Sequence, residues 1–249
     1  MLVSVLTATV GRPHLLDAYD SLLSQNMPDG WEWEWLVQED SSEPGRGAVL
    51  PDDRRLRYEC NGYSGGIAQT RNLALVRAGG VLVRNLDDDD LLTPTALSQD
   101  IAAIGSGGEA VWACSRAVDL MPDGTTKSFD DAIQPGTVPP GELFRRWKES
   151  GGRMPLHPAT LAIRADVLRR FGGWMALPTS EDVGMLMAVS SAYPGVYSSG
   201  VSMRYRKHEN QVTATRSRSE TAPQAERRFR AIEQRAQAVI AAMRPGEPG

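Results

Sequence analysis

Short apolar runs alternate with stretches of helical periodicity over the first hundred residues, and few folds accommodate that order. Leu2 to Ala8 reads as a buried strand, and "GRPHLLDAYDSLLSQ" follows it with Leu15, Leu16, Tyr19, Leu22 and Leu23 at helical spacing. "WEWEWLVQED" alternates Trp31, Trp33 and Trp35 with Glu32 and Glu34, then turns wholly apolar at Leu36 and Val37, the pattern of a strand entering a core. "RRLRYEC" gives a third strand. "GIAQTRNLALVRAGG" gives a helix whose terminal Gly pair predicts a left-handed cap, and "VLVRNLD" gives a fourth strand. Strands joined by helices imply an α/β fold, a mostly parallel sheet covered on both faces. Ligands of such sheets bind beyond the carboxyl ends of the strands. Thr7 and Thr9, Glu39 and Asp40, "NGYSGG", and Asp87 to Asp90 are therefore expected to converge on one crevice.

The second half is less regular. "AVWACSRAVDLMPDGTTKSF" reads as a strand, a turn at "PDG" and a return strand. "GELFRRWKES" is a short helix, "ATLAIRADVLRRFGGW" a strand and helix closed by Gly172 and Gly173, "EDVGMLMAVSSAYPG" another helix and "VYSSGVSMRYRKH" a strand. After Thr215, Ala225, Phe229, Ile232, Ala236, Val239 and Met243 recur at three and four residues among charged ones. That is an amphipathic helix, and its stripe must dock on the body or on a partner chain, which makes a homodimer one expectation. The divisions expected are residues 1–110, 111–215 and a C-terminal helical extension over 216–249.

Composition excludes several classes. With 41% hydrophobic and 23% charged residues the chain is globular rather than disordered. A net charge of −4 and no basic patch in the first 200 residues argue against a nucleic-acid partner. Cys60 and Cys114 lie in strand-like surroundings without CxxC spacing, so two buried thiols are expected rather than a zinc site or a disulfide. No apolar stretch approaches the roughly 20 residues that span a bilayer, and the N-terminal run lacks a basic segment, so a cytoplasmic location is expected.

The most unusual stretch is "NLDDDDLLTP". Aspartates at a helix start cap it and offset its dipole, but one is sufficient for that. Like charges ~4 Å apart repel by about 4 kcal/mol at an effective dielectric near 20, so four in a row call for something positive nearby. A divalent cation is the economical candidate, and oxygen ligands suit Mg²⁺ or Mn²⁺ completed by phosphate oxygens and water. An EF-hand is excluded, because the sixth and twelfth positions from Asp87 are Leu92 and Ser98.

Taken in order, "VSVLTAT", "LVQEDSS", "GGIAQTRNLAL", "NLDDDDLLTP", "ATLAIRADVLRRFGGW", "SEDVGMLM" and "YRKHENQ" resemble a family 2 glycosyltransferase of the GT-A fold, from residue 3 to about 211. The resemblance implies a nucleotide-sugar-binding first part and an acceptor-binding second part. It implies that Thr7 and Thr9 line the nucleotide pocket, that Asp40 accepts a hydrogen bond from the base, and that Arg71 lies near the phosphates. Asp87 and Asp89 supply a DxD pattern, Asp87 toward ribose and donor sugar and Asp89 on a Mn²⁺ or Mg²⁺ ion, with Asp88 and Asp90 as helpers. Asp182 of "TSEDVG" would be the catalytic base, with Glu181 the fallback. His208 would contact metal or phosphate, and Arg206 would neutralise diphosphate charge. His157 is placed at the acceptor side, and Trp174 either faces a sugar or packs in the core. The implied reaction moves a sugar, by inversion, from a nucleotide-sugar (a UDP-sugar foremost) to a small-molecule, peptide or saccharide acceptor. A sugar-phosphate nucleotidyltransferase is the second enzyme reading, although "TATVGRPH" offers only Gly11 and Arg12 where a glycine-rich basic loop is wanted. A noncatalytic nucleotide- or carbohydrate-binding module is the third.

Overall fold

The computed structural model of the chain describes residues 1–45, 49–105, 108–130, 132–209, 211 and 220–243. Its first part follows the sequence pattern: β1 (Leu2–Thr9), α1 (Leu15–Leu23), β2 (Glu32–Glu39), β3 (Leu56–Cys60), α2 (Ile67–Arg77) and β4 (Leu82–Asn85). Then come β5 (Leu91–Leu92), α3 (Ala96–Ile104), β6 (Trp112–Leu120), β7 (Thr126–Lys127), β8 (Gly136–Val138) and α4 (Glu142–Glu149). A 3₁₀ turn at Pro158–Thr160 leads into β9 (Ala162–Arg164), α5 (Ala165–Arg170), α6 (Glu181–Ala192), β10 (Gly195–Arg206) and α7 (Ala222–Met243).

One sheet runs β3-β2-β1-β4-β9-β6-β10-β5, with β7 hung from β6 and β8 from β10. Its long ladders are parallel, β1 with β2 and β4, β2 with β3, and β10 with β6. The polarity reverses at β9, which lies antiparallel to both β4 and β6, and the edge pairing of β5 with β10 is antiparallel too. The sheet is thus continuous across residue 110. At its middle the Arg84 guanidinium, wholly buried, donates to both oxygens of Asp100 in α3 at 3.0 Å and to the Ser202 hydroxyl of β10 at 2.8 Å. Burial pushes the Asp100 carboxyl up to about 6, with Arg84 opposing.

Side chains alternate along each strand. Val3 and Val5 join Trp33, Trp35 and Val37 against Leu15 and Leu22 of α1 and Leu97 and Ile101 of α3. Leu6 and Leu36 face the other way, toward Ala74 and Leu75 of α2, Leu168 of α5 and Met185 of α6. The C-terminal stripe docks on its own body: Ile232 and Ala236 are buried, and Phe229 stacks on Trp147 of α4 with ring centroids 4.0 Å apart. A homodimer through α7 would therefore have to use its other face.

Two expectations need correction. The Gly79–Gly80 pair is not a left-handed cap; α2 ends on an extended Ala78, and a Cβ on Gly80 would lie 2.6 Å from the Ser4 nitrogen. The pair exists for close approach, with the Gly80 amide donating to Ser4 Oγ (2.8 Å) and the Gly79 amide to Glu34 (2.7 Å). The left-handed conformation appears instead at Gly172 and Gly173, after α5. Of the thiols, Cys114 is buried, but Cys60 is only half-buried at the end of an edge strand, its Sγ donating to the Ser41 carbonyl. Among the described residues no helix is long and apolar enough to cross a membrane.

Candidate functional site

The four aspartates form a turn between two strands. Leu86 continues the ladder by donating its amide to the Leu6 carbonyl (3.1 Å), the Asp90 amide closes on the Asp87 carbonyl (3.2 Å), and the chain leaves as β5. The next helix starts only at Ala96, so the acids do not cap it.

Each acid has a different neighbour. Asp87, its side chain 27% exposed, accepts from Arg71 Nη2 at 2.5 Å. Asp88 is buried and accepts from Thr9 Oγ1 (2.6 Å) and Arg12 Nη1 (2.7 Å); burial raises its carboxyl above the usual range, with Arg12 opposing. One oxygen of Asp89 meets both His208 Nε2 (2.9 Å) and Arg12 Nη1 (3.2 Å). Asp90 is wholly buried, with Oδ1 accepting the Arg206 amide (2.9 Å) and Oδ2 lacking a hydrogen-bond partner among the described residues. Burial, reinforced by the charges of Asp87 and Asp89, drives Asp90 well above the usual carboxylate range, toward its neutral form.

The opposite wall comes from α6. Glu181 accepts from Arg71 Nη1 at 2.5 Å, so one guanidinium, itself 2% exposed, bridges the two walls. Burial raises the Glu181 carboxyl to about 7, with Arg71 opposing. Burial pulls Arg71 down, but Asp87 and Glu181 outweigh it and hold the guanidinium charged. Asp182 is half-buried, accepts the Val183 amide (2.7 Å), and is also raised, chiefly by burial. Ala8, Arg12, Arg71, Asp87 to Asp89, His157, Tyr205, Glu181 and Asp182 all line one cleft of about 310 Å³ beyond the carboxyl ends of β1 and β4. That is the reversal point of the strand order, where such sheets bind ligands.

Asp87, Asp88, Asp89, Arg71, Glu181 and Asp182 are thus brought together, and His208 joins them through Asp89. Thr7 does not line the cleft: it is wholly buried, donating to the Leu86 carbonyl (2.7 Å) and accepting from the Trp35 indole (2.8 Å). Thr9, 2% exposed, supports Asp88 instead of lining a pocket. Asp40 stands aside from the cleft; its carboxylate accepts the Gly65 (2.6 Å) and Gly66 (3.0 Å) amides and so pins the loop that starts α2. The fork of Arg206 turns away from the cleft, to Asp17 (2.7 Å) and the Asp89 carbonyl (2.9 Å). His157 lies in the cleft against the Tyr205 ring, its imidazole held below its usual value by burial. Trp174 is buried, with Arg71 over its ring at 6.0 Å, a packing role.

Arg12 is the residue that the sequence reading undervalued. The β1–β4 pairing sets the loop after β1 beside the acid turn, and Arg12 there meets Asp88 and Asp89. The four acids are consequently met within the chain by Arg12, Arg71 and the Arg206 amide, with His208 beside Asp89 and with burial favouring the neutral form of Asp90.

Comparison with known proteins fixes the family. A family model described as glycosyl transferase family 2 matches residues 4–172. The chain belongs to that family. It is 35% identical over 104 residues to a UDP-Glc:alpha-D-GlcNAc-diphosphoundecaprenol beta-1,3-glucosyltransferase, WfgD, of Escherichia coli, over 41% of this chain and 40% of that one. The chain thus spans well under half the length of that curated relative. Among solved structures, S. aureus TarS 1–349 in complex with UDP-GlcNAc aligns at a TM-score of 0.73 and 19% identity, over 98% of this chain and 71% of TarS 1–349. The UDP complex of the same protein aligns at 0.69 and 17% identity. These neighbours support the fold of the family 2 chain, a GT-A-like α/β sheet. Glu181, Asp182, His208 and α7 all lie beyond the matched residues.

The donor set allows a divalent ion without demanding one. No group of three or more His, Cys, Asp or Glu side chains among the described residues is disposed to hold an ion alone. A carboxylate oxygen and an imidazole nitrogen converge at Asp89 and His208, however, and ions of this class bind through one or two side chains with substrate oxygens completing the shell.

Proposed function

We propose that this family 2 chain transfers a sugar from a nucleotide-sugar, a UDP-sugar foremost, to an acceptor hydroxyl with inversion at the anomeric carbon. The observation that carries this reading is the cleft itself: the Asp87–Asp89 turn and the Asp182 carboxylate face the same cavity from opposite walls. The relative whose printed name gives UDP-Glc as donor, and the neighbour seen with UDP-GlcNAc, support the choice of donor. Of small-molecule, peptide and saccharide acceptors, that relative's name supports a saccharide.

In the reaction the acceptor oxygen bonds to the anomeric carbon as the carbon–oxygen bond to the diphosphate breaks, the bonding pair leaving with the nucleoside diphosphate. Asp182 takes the acceptor proton; its raised proton affinity makes it a stronger base than a solvated aspartate. Asp87 orients ribose and donor sugar, and Arg71 holds Asp87 and Glu181 in place. Asp89 and His208 would hold a Mn²⁺ or Mg²⁺ ion, which when bound supplies positive charge for the departing diphosphate. His157, whose Nδ1 is buried without a hydrogen-bond partner among the described residues, sits on the acceptor side.

The test is release of UDP from a panel of UDP-sugars with saccharide acceptors, with the product anomer read by NMR. Turnover that disappears in both Asp89→Asn and Asp182→Asn, while both retain the wild-type fold by circular dichroism, bears the reading out. Full activity in both variants overturns it.

A further inference from the structure

We infer that Arg228 of α7 is a positioning residue for the Glu181–Asp182 pair, acting through the hydroxyl of Ser180. This rests on the reading of that pair as catalytic.

Ser180 is, among the described residues, the one non-glycine with positive φ, at φ 59° and ψ 28°. L side chains adopt that region only where the surroundings impose it. Ser180 is also the residue from which α6 springs. Its carbonyl accepts the Gly184 amide (2.9 Å), while its side chain makes no hydrogen bond that caps the helix. The hydroxyl faces outward from the helix instead and accepts from Arg228 Nη1 at 2.6 Å.

The guanidinium that holds it is itself held. Its remaining donors, Nε and Nη2, reach both oxygens of Glu220 at 3.0 and 2.7 Å, which fixes the plane of the fork. The helix carrying Arg228 cannot shift easily. Phe229, the next residue, stacks on Trp147 and covers Gly152 so closely that a Cβ there would lie 2.3 Å from the ring. One turn further on, Ile232 is buried against the body.

The consequence lies in direction. Asp182 is two residues from the strained serine, in the first turn of α6, so the dihedral angles at Ser180 set the vector along which its carboxylate enters the cleft. Relaxation of Ser180 would swing that turn, and displacement of a reacting group by ~1 Å can reduce turnover about 100-fold. The arginine therefore imposes a geometry that the local sequence resists. It does so from a helix outside the residues matched by the family model.

The experiment compares Arg228→Met, Arg228→Lys, Ser180→Ala and the Arg228→Met/Ser180→Ala double variant. Arg228→Met and Ser180→Ala should each lower kcat about 10- to 100-fold with the KM for the UDP-sugar unchanged. Lysine, which still donates one hydrogen bond, should restore most of the loss. The double variant should be no worse than the poorer single one, because both remove the same contact. Wild-type kcat in Ser180→Ala, or losses that multiply in the double variant, would overturn the inference. If Arg228→Met does not fold, Ser180→Ala carries the test by itself. Hydrogen exchange over residues 178–186, measured without substrate, separates this inference from the functional reading. Faster exchange in Ser180→Ala supports the clamp even if no UDP-sugar is turned over by the wild type, and unchanged exchange refutes the clamp whatever the enzyme does.

Discussion

Arg71→Met keeps the aliphatic stem of the side chain and removes the guanidinium that stands between Asp87 and Glu181, 2.5 Å from each. Breaking a buried ion pair by deleting one partner costs about 3–5 kcal/mol, because the remaining charge is left uncompensated. Two features place this site at the low end: Asp87 is 27% exposed and keeps some hydration, and Glu181, raised to about 7, can take up a proton. A loss of about 3 kcal/mol near neutral pH follows, and at about 2–4 °C per kcal/mol for a chain of this size it lowers the Tm by roughly 6–12 °C. The sign of the pH dependence is fixed as well. An acid with a raised pKa in the fold contributes stability below its unfolded pKa and loses it as pH rises through the folded one. Without Arg71 the Glu181 midpoint moves further up, so below about pH 7 wild type and variant lose this contribution alike, and the penalty grows as pH rises above about 7. Thermal and urea melts from about pH 5 to about pH 8 measure it. A variant whose Tm matches wild type within about 1 °C at the upper pH would refute the claim that Arg71 neutralises Asp87 and the buried Glu181.

Other predictions follow from single contacts. The activity of the wild type should fall with decreasing pH along a limb set above the ordinary aspartate value near 4, since Asp182 is effective only when ionised and its affinity for the proton is raised by burial; a limb at or below that value contradicts the assignment. Gly80→Ala should destabilise by about 1–3 kcal/mol in urea melts, because its Cβ would meet the Ser4 backbone at 2.6 Å. Phe229→Ala should cost about 1–3 kcal/mol by removing the stack of this partly buried ring on Trp147, and a neutral result would show that α7 is not firmly docked.

The first four strands were legible because alternation with period two, and the helices between them, depend on residues close in sequence. β5, a two-residue strand, and β8, with three, are too short to show any period, and their partners lie in β10, remote in sequence. β9 reads locally as a strand, but nothing local tells that it inserts antiparallel between β4 and β6. The acids of the site were visible as clusters after strands. Thr7 was misplaced by an error of parity: it shares the face of Val3 and Val5, which points to Trp35, whereas Ala8 faces the cleft. Arg12 and the fork of Arg206 were beyond reach, since the direction of a long side chain in a loop depends on which acids the fold brings beside it.

Isothermal calorimetry of UDP with the wild type and Asp89→Asn, each with Mn²⁺ and with EDTA, addresses the acid turn most directly. The account predicts uptake of UDP by the wild type that requires the cation and that weakens sharply in Asp89→Asn. Equal affinity in the variant, or no uptake by the wild type, would each contradict it, and equal affinity in EDTA would overturn the metal proposal.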